Sequence, residues 1–218
     1  MKKYVAGGLL LGCLAGSFLP AWVQQWQRVS VDSLTSAEFP QAPTTQQVQG
    51  QQVTMLNDDG TLYMLLVQKD AYEGNPSPAE LARFYEGVEE GILQQAGGGK
   101  IIKKSDFSLN GFAGVKAQFT TPSKPQLPAV KYMRTVLINN TAYTLNYWTS
   151  VEKDAAGAGN RQHFFSSLQT NARPTPSTRR GSHAYGIGYR VGQLLAIGLL
   201  VGGVVGLVRW LRKSRQQA

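Results

Sequence analysis

The alternation of apolar and polar residues along the chain predicts two kinds of β-strand. Residues 62–67 are apolar at every position, which is typical of a central strand covered on both faces. Residues 113–119 alternate apolar with polar or small side chains, the two-residue period of a half-buried strand. Asp58, Asp59 and Gly60 precede the apolar run and predict a hairpin turn, with Gly60 at positive φ.

A capped amphipathic helix is predicted over residues 77–97. Ser77 is the N-cap, Pro78 takes the first helical position and Glu80 completes a capping box. Gly97 ends the helix. Its apolar residues recur at helical spacing: Leu81, Phe84, Tyr85, Val88 and Ile92. This stripe predicts that one face of the helix packs against a sheet.

The remaining patterns decide the fold class. Residues 28–50 are mostly polar and contain a first strand that ends at Pro40. Four strands follow the helix, in "KIIKKSDFSL", "FAGVKAQFT", "VKYMRTVLI" and "TAYTLNYWTSV". A last helix is predicted at about residues 160–169. This order of elements predicts an α+β fold, in which helices pack on an antiparallel sheet.

Several stretches resemble the PsbP-like family of extracytoplasmic domains. They are "AEFPQAP", "GGGKIIKKSDFSLNGFAGVKAQF" after the capped helix, "YMRTVLINNTAYTLNYW" and the closing "FFSSL". The resemblance covers about residues 29–171 and implies helices around an antiparallel sheet. It also implies a non-catalytic binding or accessory role and supplies no site residues.

Charge is distributed unevenly along the chain. The net charge is +9, yet all thirteen Asp and Glu and eleven of the Lys and Arg lie between residues 29 and 172. That part therefore carries a net charge of −2, and the basic surplus belongs to the two ends. Proteins that bind nucleic acid place their cations on a folded face, so nucleic-acid binding is not predicted.

The carboxyl-terminal end predicts a transmembrane helix. Residues 191–208 are uncharged and would span roughly 27 Å as a helix, close to a hydrocarbon thickness of about 30 Å. Tyr185, Tyr189 and Trp210 lie at its edges, as interfacial aromatic residues do. A cluster of cations follows it, namely Arg209, Arg212, Lys213 and Arg215. This cluster predicts a cytoplasmic carboxyl terminus.

The amino-terminal end has the layout of a secretory signal. Lys2 and Lys3 precede an uncharged run over residues 4–23, with a small-residue site that favours cleavage after Ser17. Without cleavage the run would remain as a signal anchor, and both outcomes place the domain outside the cytoplasm. "LLGC" resembles a lipobox and offers lipidation of Cys13 as a less favoured alternative. Cys13 is the one cysteine of the chain, so no internal disulfide can form, which favours a bacterial envelope.

The chain thus divides into five predicted parts. They are a signal peptide or anchor (1–27), an extracytoplasmic domain (28–171), a flexible tether (172–184), a transmembrane helix (185–211) and a basic cytoplasmic tail (212–218). Gly198, Gly202 and Gly206 lie on one face of the predicted span. They predict helix pairing, with a second copy or with another membrane protein, unless they only reflect the high glycine content of membrane helices.

No catalytic, cofactor-binding or metal-binding residues are predicted. His163 and His183 are the two histidines, and neither belongs to a cluster with metal-ligand spacing. We therefore expect a non-enzymatic, membrane-tethered binding or accessory domain of the cell envelope that engages a protein partner. The alternative is an envelope hydrolase whose site assembles only in the fold.

Overall fold

The computed structural model describes residues 25–122, 127–176 and 183–196. The predicted signal segment through residue 24, including Cys13, lies outside the described residues. Residues 197–218 also lie outside them, and with these Gly198, Gly202 and Gly206. The predicted lipidation and the predicted pairing of these glycines therefore stay predictions.

The described residues form ten strands and four helices. The strands are β1 (Gln27–Ser30), β2 (Thr35–Phe39), β3 (Thr44–Val48), β4 (Gln51–Asp58), β5 (Thr61–Gln68), β6 (Lys100–Leu109), β7 (Phe112–Thr120), β8 (Val130–Ile138), β9 (Thr141–Thr149) and β10 (Gln169–Thr170). The helices are α1 (Pro78–Gln95), α2 (Val151–Asp154), α3 (Ala158–Ser166) and a helix over residues 184–196, here α4.

The main sheet has seven antiparallel strands in the order β3-β4-β5-β9-β8-β7-β6. A smaller sheet joins β1, β2 and β10. The prediction of an antiparallel sheet with helices is confirmed. Helix α1 connects β5, inside the sheet, to β6 at its edge, and so crosses one face of the sheet.

Apolar side chains cover both faces of the main sheet. Leu62, Met64 and Leu66 of β5 point to the core beneath α1 and α4, whereas Tyr63 and Leu65 point to the core beneath α3 and the small sheet. The fully apolar run of β5 thus has the double burial that its sequence predicts.

Local signals set the ends of α1 as predicted. The Ser77 hydroxyl accepts from the Glu80 backbone N–H at 3.3 Å, and the Glu80 carboxylate accepts from the Ser77 N–H at 2.8 Å. Gly97 follows the helix with a φ of 86°. These reciprocal bonds satisfy amide groups that a helix leaves open at its first turn.

The amino-terminal part of the domain differs from the prediction. Two strands, β1 and β2, stand where one strand ending at Pro40 was expected, because the Asp32 carboxylate accepts from the N–H groups of Leu34 and Thr35 and reverses the chain. The polar stretch "TTQQV" forms β3, an edge strand with one neighbour. Most of its side chains are exposed and only Val48 packs against the core, so the strand has no apolar period and was not predicted.

The predicted tether lies partly on the domain. Asn110 donates to the Ala172 carbonyl at 2.8 Å, and Asn75 donates to the Thr175 hydroxyl at 2.6 Å. Ala184, the last tether residue, is buried at the start of α4. Within the described ranges the helices are too short or too polar to cross a bilayer.

Candidate functional site

A groove of about 530 Å³ lies between α3 and the face of β6, β7 and β8 that points away from α1. Successive strand residues alternate between the two faces of a sheet. Since Val115 and Ala117 pack beneath α1, Lys116 points into the groove. Six polar side chains of its lining are Lys103, Lys116, Gln118, Tyr132, Arg134 and Arg161.

The groove is basic because four of these residues are cations from four different elements. Lys116 of β7 stands directly opposite Arg134 of β8 in the strand register. Like charges in this relation destabilise a sheet, by up to about 1 kcal/mol. Lys103 of β6 is paired with Gln118 beside them. The fold thus holds cations together at a cost in stability, which is expected where an anion binds.

Arg134 is fixed in place by aromatic and backbone contacts. Its Nη1 donates to the Phe165 carbonyl at 3.0 Å, and its guanidinium lies 5.1 Å from the Phe165 ring centre and 5.4 Å from that of Phe107. Burial lowers the pKa of Arg134, although an arginine remains charged at neutral pH. A guanidinium held in this way can present its remaining N–H groups to a carboxylate with little further loss of conformational entropy.

Arg161 is held by Asp154 and by an aromatic ring. It forms an ion pair with the Asp154 carboxylate and lies 4.1 Å from the Tyr132 ring centre. Tyr132 donates to the second Asp154 oxygen at 2.9 Å. Burial, together with this hydrogen bond, raises the pKa of Tyr132. Asp154 offsets one of the four cations, and the groove keeps a positive surplus.

The fold of this chain is similar to that of solved structures, although its sequence matches no family model and no curated protein. The solution structure of cyanobacterial PsbP from Synechocystis superposes with a TM-score of 0.51 at 11% identity, covering 72% of this chain and 98% of that one. The chain has a PsbP-like fold. A protein of unknown function from Pseudomonas aeruginosa is also similar, with a TM-score of 0.41 at 15% identity over 70% of this chain and 99% of that one.

A second cavity, of about 370 Å³, lies at the start of α1. Tyr85 on its wall donates to the Ala113 carbonyl at 2.7 Å and accepts from the Leu137 N–H at 2.9 Å. Burial raises the pKa of Tyr85 above its ordinary value, which itself lies well above neutral pH, so the hydroxyl is protonated. A hydroxyl with both roles taken by backbone groups holds α1 to β7 and β8, and it is poorly suited to proton transfer.

His163, one of the two histidines of the chain, lies outside both cavities. Its Nε2 is 2.7 Å from the Glu38 carboxylate, and its ring lies 4.1 Å from the Trp26 ring centre. The hydrogen bond from His163 lowers the pKa of Glu38. This contact ties α3 to β2. Within the described ranges, no three His, Cys, Asp or Glu residues come together as metal ligands.

Sequence reasoning missed the basic groove because it averaged charge over the whole domain. The net charge of −2 conceals a local cluster of cations on the face of the sheet that points away from α1. Lys104 of β6 faces α1 and pairs with Glu89 at 2.9 Å, whereas the neighbouring Lys103 faces the groove. The strand register, which a single sequence does not give, was needed to bring Lys103, Lys116 and Arg134 together.

Proposed function

We propose that the protein is a non-catalytic accessory domain, tethered to the extracytoplasmic side of a membrane, that binds an acidic segment of a protein partner in the basic groove. One observation carries this proposal. Lys116 and Arg134 are directly opposite each other on neighbouring strands, beside Lys103 and Arg161. An anionic ligand between them would turn a repulsive arrangement into a favourable one.

The dimensions and chemistry of the groove suit a short peptide segment. Its volume of about 530 Å³ lies in the usual range of ligand clefts, about 300–1,000 Å³. Arg134 is fixed by its contacts and can bind a carboxylate through two parallel hydrogen bonds, while the exposed Lys103 and Lys116 adapt to nearby charges. Several acidic side chains in sequence would match this arrangement.

A protein segment is favoured over nucleic acid because the positive surface is small. Residues 29–172 carry a net charge of −2, and a polyphosphate needs cations along an extended path. The membrane tether is proposed from the apolar residues 191–208 and the cations that follow them.

The groove can be tested with two matched pairs of charge reversals. Lys103→Glu with Lys116→Glu changes the groove, whereas Lys69→Glu with Lys100→Glu changes net charge equally at exposed lysines outside its lining. The probe is a fluorescein-labelled oligo-glutamate peptide added to the full chain in mild detergent, with binding followed by fluorescence anisotropy. We expect the groove pair to weaken binding about tenfold or more, and the control pair to change it little.

The same variants then serve in the native envelope. A photo-reactive residue at Gln118, on the groove lining, should cross-link a protein in the wild-type chain and lose that product in the groove pair. Equal loss of peptide binding in both pairs would mean that overall charge attracts the peptide. That result would remove the groove from the proposal.

A further inference from the structure

Helix α4 packs on α1 through glycines of both helices. A Cβ atom added at Gly188 would lie 2.0 Å from the Phe84 carbonyl oxygen, and one at Gly192 would lie 2.2 Å from that of Val88. In the other direction, a Cβ at Gly87 would lie 2.2 Å from the Tyr185 oxygen. These contacts advance along both helices in the same direction, so the pair is parallel.

The contact is the close backbone approach that four-residue glycine spacing allows in membrane helices. Gly87 and Gly91 of α1 are four residues apart, as are Gly188 and Gly192 of α4. With no side chain between the backbones, Cα–H groups meet carbonyl oxygens across the interface, a weak but cumulative attraction. Helix pairing was predicted at Gly198, Gly202 and Gly206, whereas the described contact lies before these residues.

Side-chain hydrogen bonds and buried apolar residues extend the contact between α1 and α4 at both ends. The Tyr185 hydroxyl donates to Glu90 at 2.6 Å, and Gln193 donates to Gln94 at 3.1 Å. Val191 and Leu195 are buried in the same core as α1. The first residues of the predicted span are therefore part of the domain core.

This docking is incompatible with the full predicted span. If residues 184–196 stay on α1, the remaining uncharged residues 197–208 number twelve and would reach about 18 Å as a helix. A bilayer needs about 30 Å. Helix α1 cannot enter the hydrocarbon with α4, because Arg83, Glu86 and Glu90 are exposed along it and charges there are costly.

We propose that residues 184–196 are a latch with two positions, docked on α1 or released from it when residues 191–208 span the membrane. This inference rests on the proposed membrane tether. In the docked position the domain holds the first turns of the span. In the released position the glycine face of α1 and the apolar residues beneath α4 become exposed. Membrane insertion of residues 191–208 therefore determines whether this part of the domain surface is accessible.

The test measures docking and spanning in the same molecules. The full chain carries Cys13→Lys, which removes the native thiol and puts a charge in the middle of residues 4–23, so that this run cannot hold the membrane. It also carries Gln94→Cys and Gln193→Cys, so a short bifunctional thiol reagent joins α1 to α4 only when they are docked. The chain is synthesised in a cell-free reaction that contains vesicles of phosphatidylcholine and phosphatidylglycerol. Carbonate extraction then separates the molecules that span the membrane, which resist it, from those that do not. Val204→Lys, which puts a charge in the middle of residues 191–208, is the non-spanning control.

A second pair of variants separates the latch from general disruption. Gly188→Leu would clash with the α1 backbone, whereas a Cβ at Gly186 in the same helix meets nothing within 4 Å. We expect Gly188→Leu to abolish the cross-link and increase the carbonate-resistant fraction, and Gly186→Leu to change neither.

Three outcomes are informative. The latch is supported if Val204→Lys lowers carbonate resistance and the cross-link is confined to extracted molecules. The latch is overturned if carbonate-resistant wild-type chains cross-link as efficiently as extracted ones. If Val204→Lys is still extracted in that experiment, the tether remains intact. Equal carbonate resistance in wild type and Val204→Lys means that residues 191–208 do not span, which overturns the tether and the latch together.

Discussion

The contact between α1 and α4 predicts different effects on stability for two glycine-to-alanine substitutions. In Gly91→Ala the new methyl group would lie 2.2 Å from the Tyr189 carbonyl oxygen and 2.8 Å from the Gln193 nitrogen. Both are backbone atoms of a helix and cannot turn aside as a side chain can. In Gly186→Ala the methyl group meets no atom within 4 Å.

The magnitudes follow from two opposing terms. Alanine stabilises a helix by about 1 kcal/mol relative to glycine, and this gain is common to both variants. Overpacking at Gly91 costs about 1–3 kcal/mol, because α4 must move away from α1. Gly186→Ala should therefore raise the free energy of unfolding by about 0.5–1 kcal/mol. The free energy of unfolding of Gly91→Ala should be lower than that of Gly186→Ala by about 1–3 kcal/mol. Helix propensity does not contribute to this difference, because both variants gain it equally.

Urea denaturation of the full chain carrying Val204→Lys, the non-spanning variant in which α4 stays docked, measures both values by near-ultraviolet circular dichroism. The reasoning would be refuted by equal stabilisation in the two variants, since that result requires α1 and α4 to be apart in solution. An equal slope of free energy against urea in wild type and variants is needed for the comparison.

Other predictions concern buried polar groups and the helix cap. Asn146 is fully buried, and its amide has no hydrogen-bond partner among the described residues. Asn146→Leu should therefore stabilise the domain by about 1–3 kcal/mol in urea denaturation, and a loss of stability would contradict this expectation. Burial lowers the pKa of Lys131 to about 8, so Lys131→Met should stabilise at pH 7. Between pH 8 and the ordinary lysine pKa, the unfolded wild-type chain binds more protons than the folded one, so wild-type stability rises with pH and the advantage of Met shrinks. If the free energies of unfolding of the variant and wild type differed by the same amount from pH 7 to 10, this expectation would be wrong. Ser77→Ala should cost about 0.5–2 kcal/mol through the lost cap of α1, measured against Ser108→Ala on exposed β6.

Elements that depend on local signals were predictable from sequence. The cap of α1 uses residues within three positions of one another, and β5 shows its double burial in an unbroken apolar run. The edge strand β3 has neither signal, since its pairing with β4 is made by backbone groups of polar residues. The turn at Asp32 likewise depends on one side chain bonding to two nearby N–H groups.

Features that join distant parts of the chain were not predictable. In α1, Gly87 and Gly91 look like weak points of a helix, and only the contact with α4, about one hundred residues later, explains them. The boundary of the predicted span was drawn from charge and hydropathy. Both measures treat Gly188 and Gly192 as ordinary membrane residues, although their four-residue spacing carried the packing signal.

The groove and the latch lie on opposite faces of one sheet, and this makes their roles separable. In β8, Arg134 points to the groove, whereas its neighbour Met133 points to the core beneath α1 and α4. Reversing Lys103 and Lys116 therefore changes the groove without changing any atom that contacts α4. Beside Met133 on that face, the hydroxyls of the buried Thr135 and Thr144 lie 3.1 Å apart and join β8 to β9. Gly188→Leu should therefore leave oligo-glutamate binding unchanged, and a change in that binding would show that the two faces are coupled.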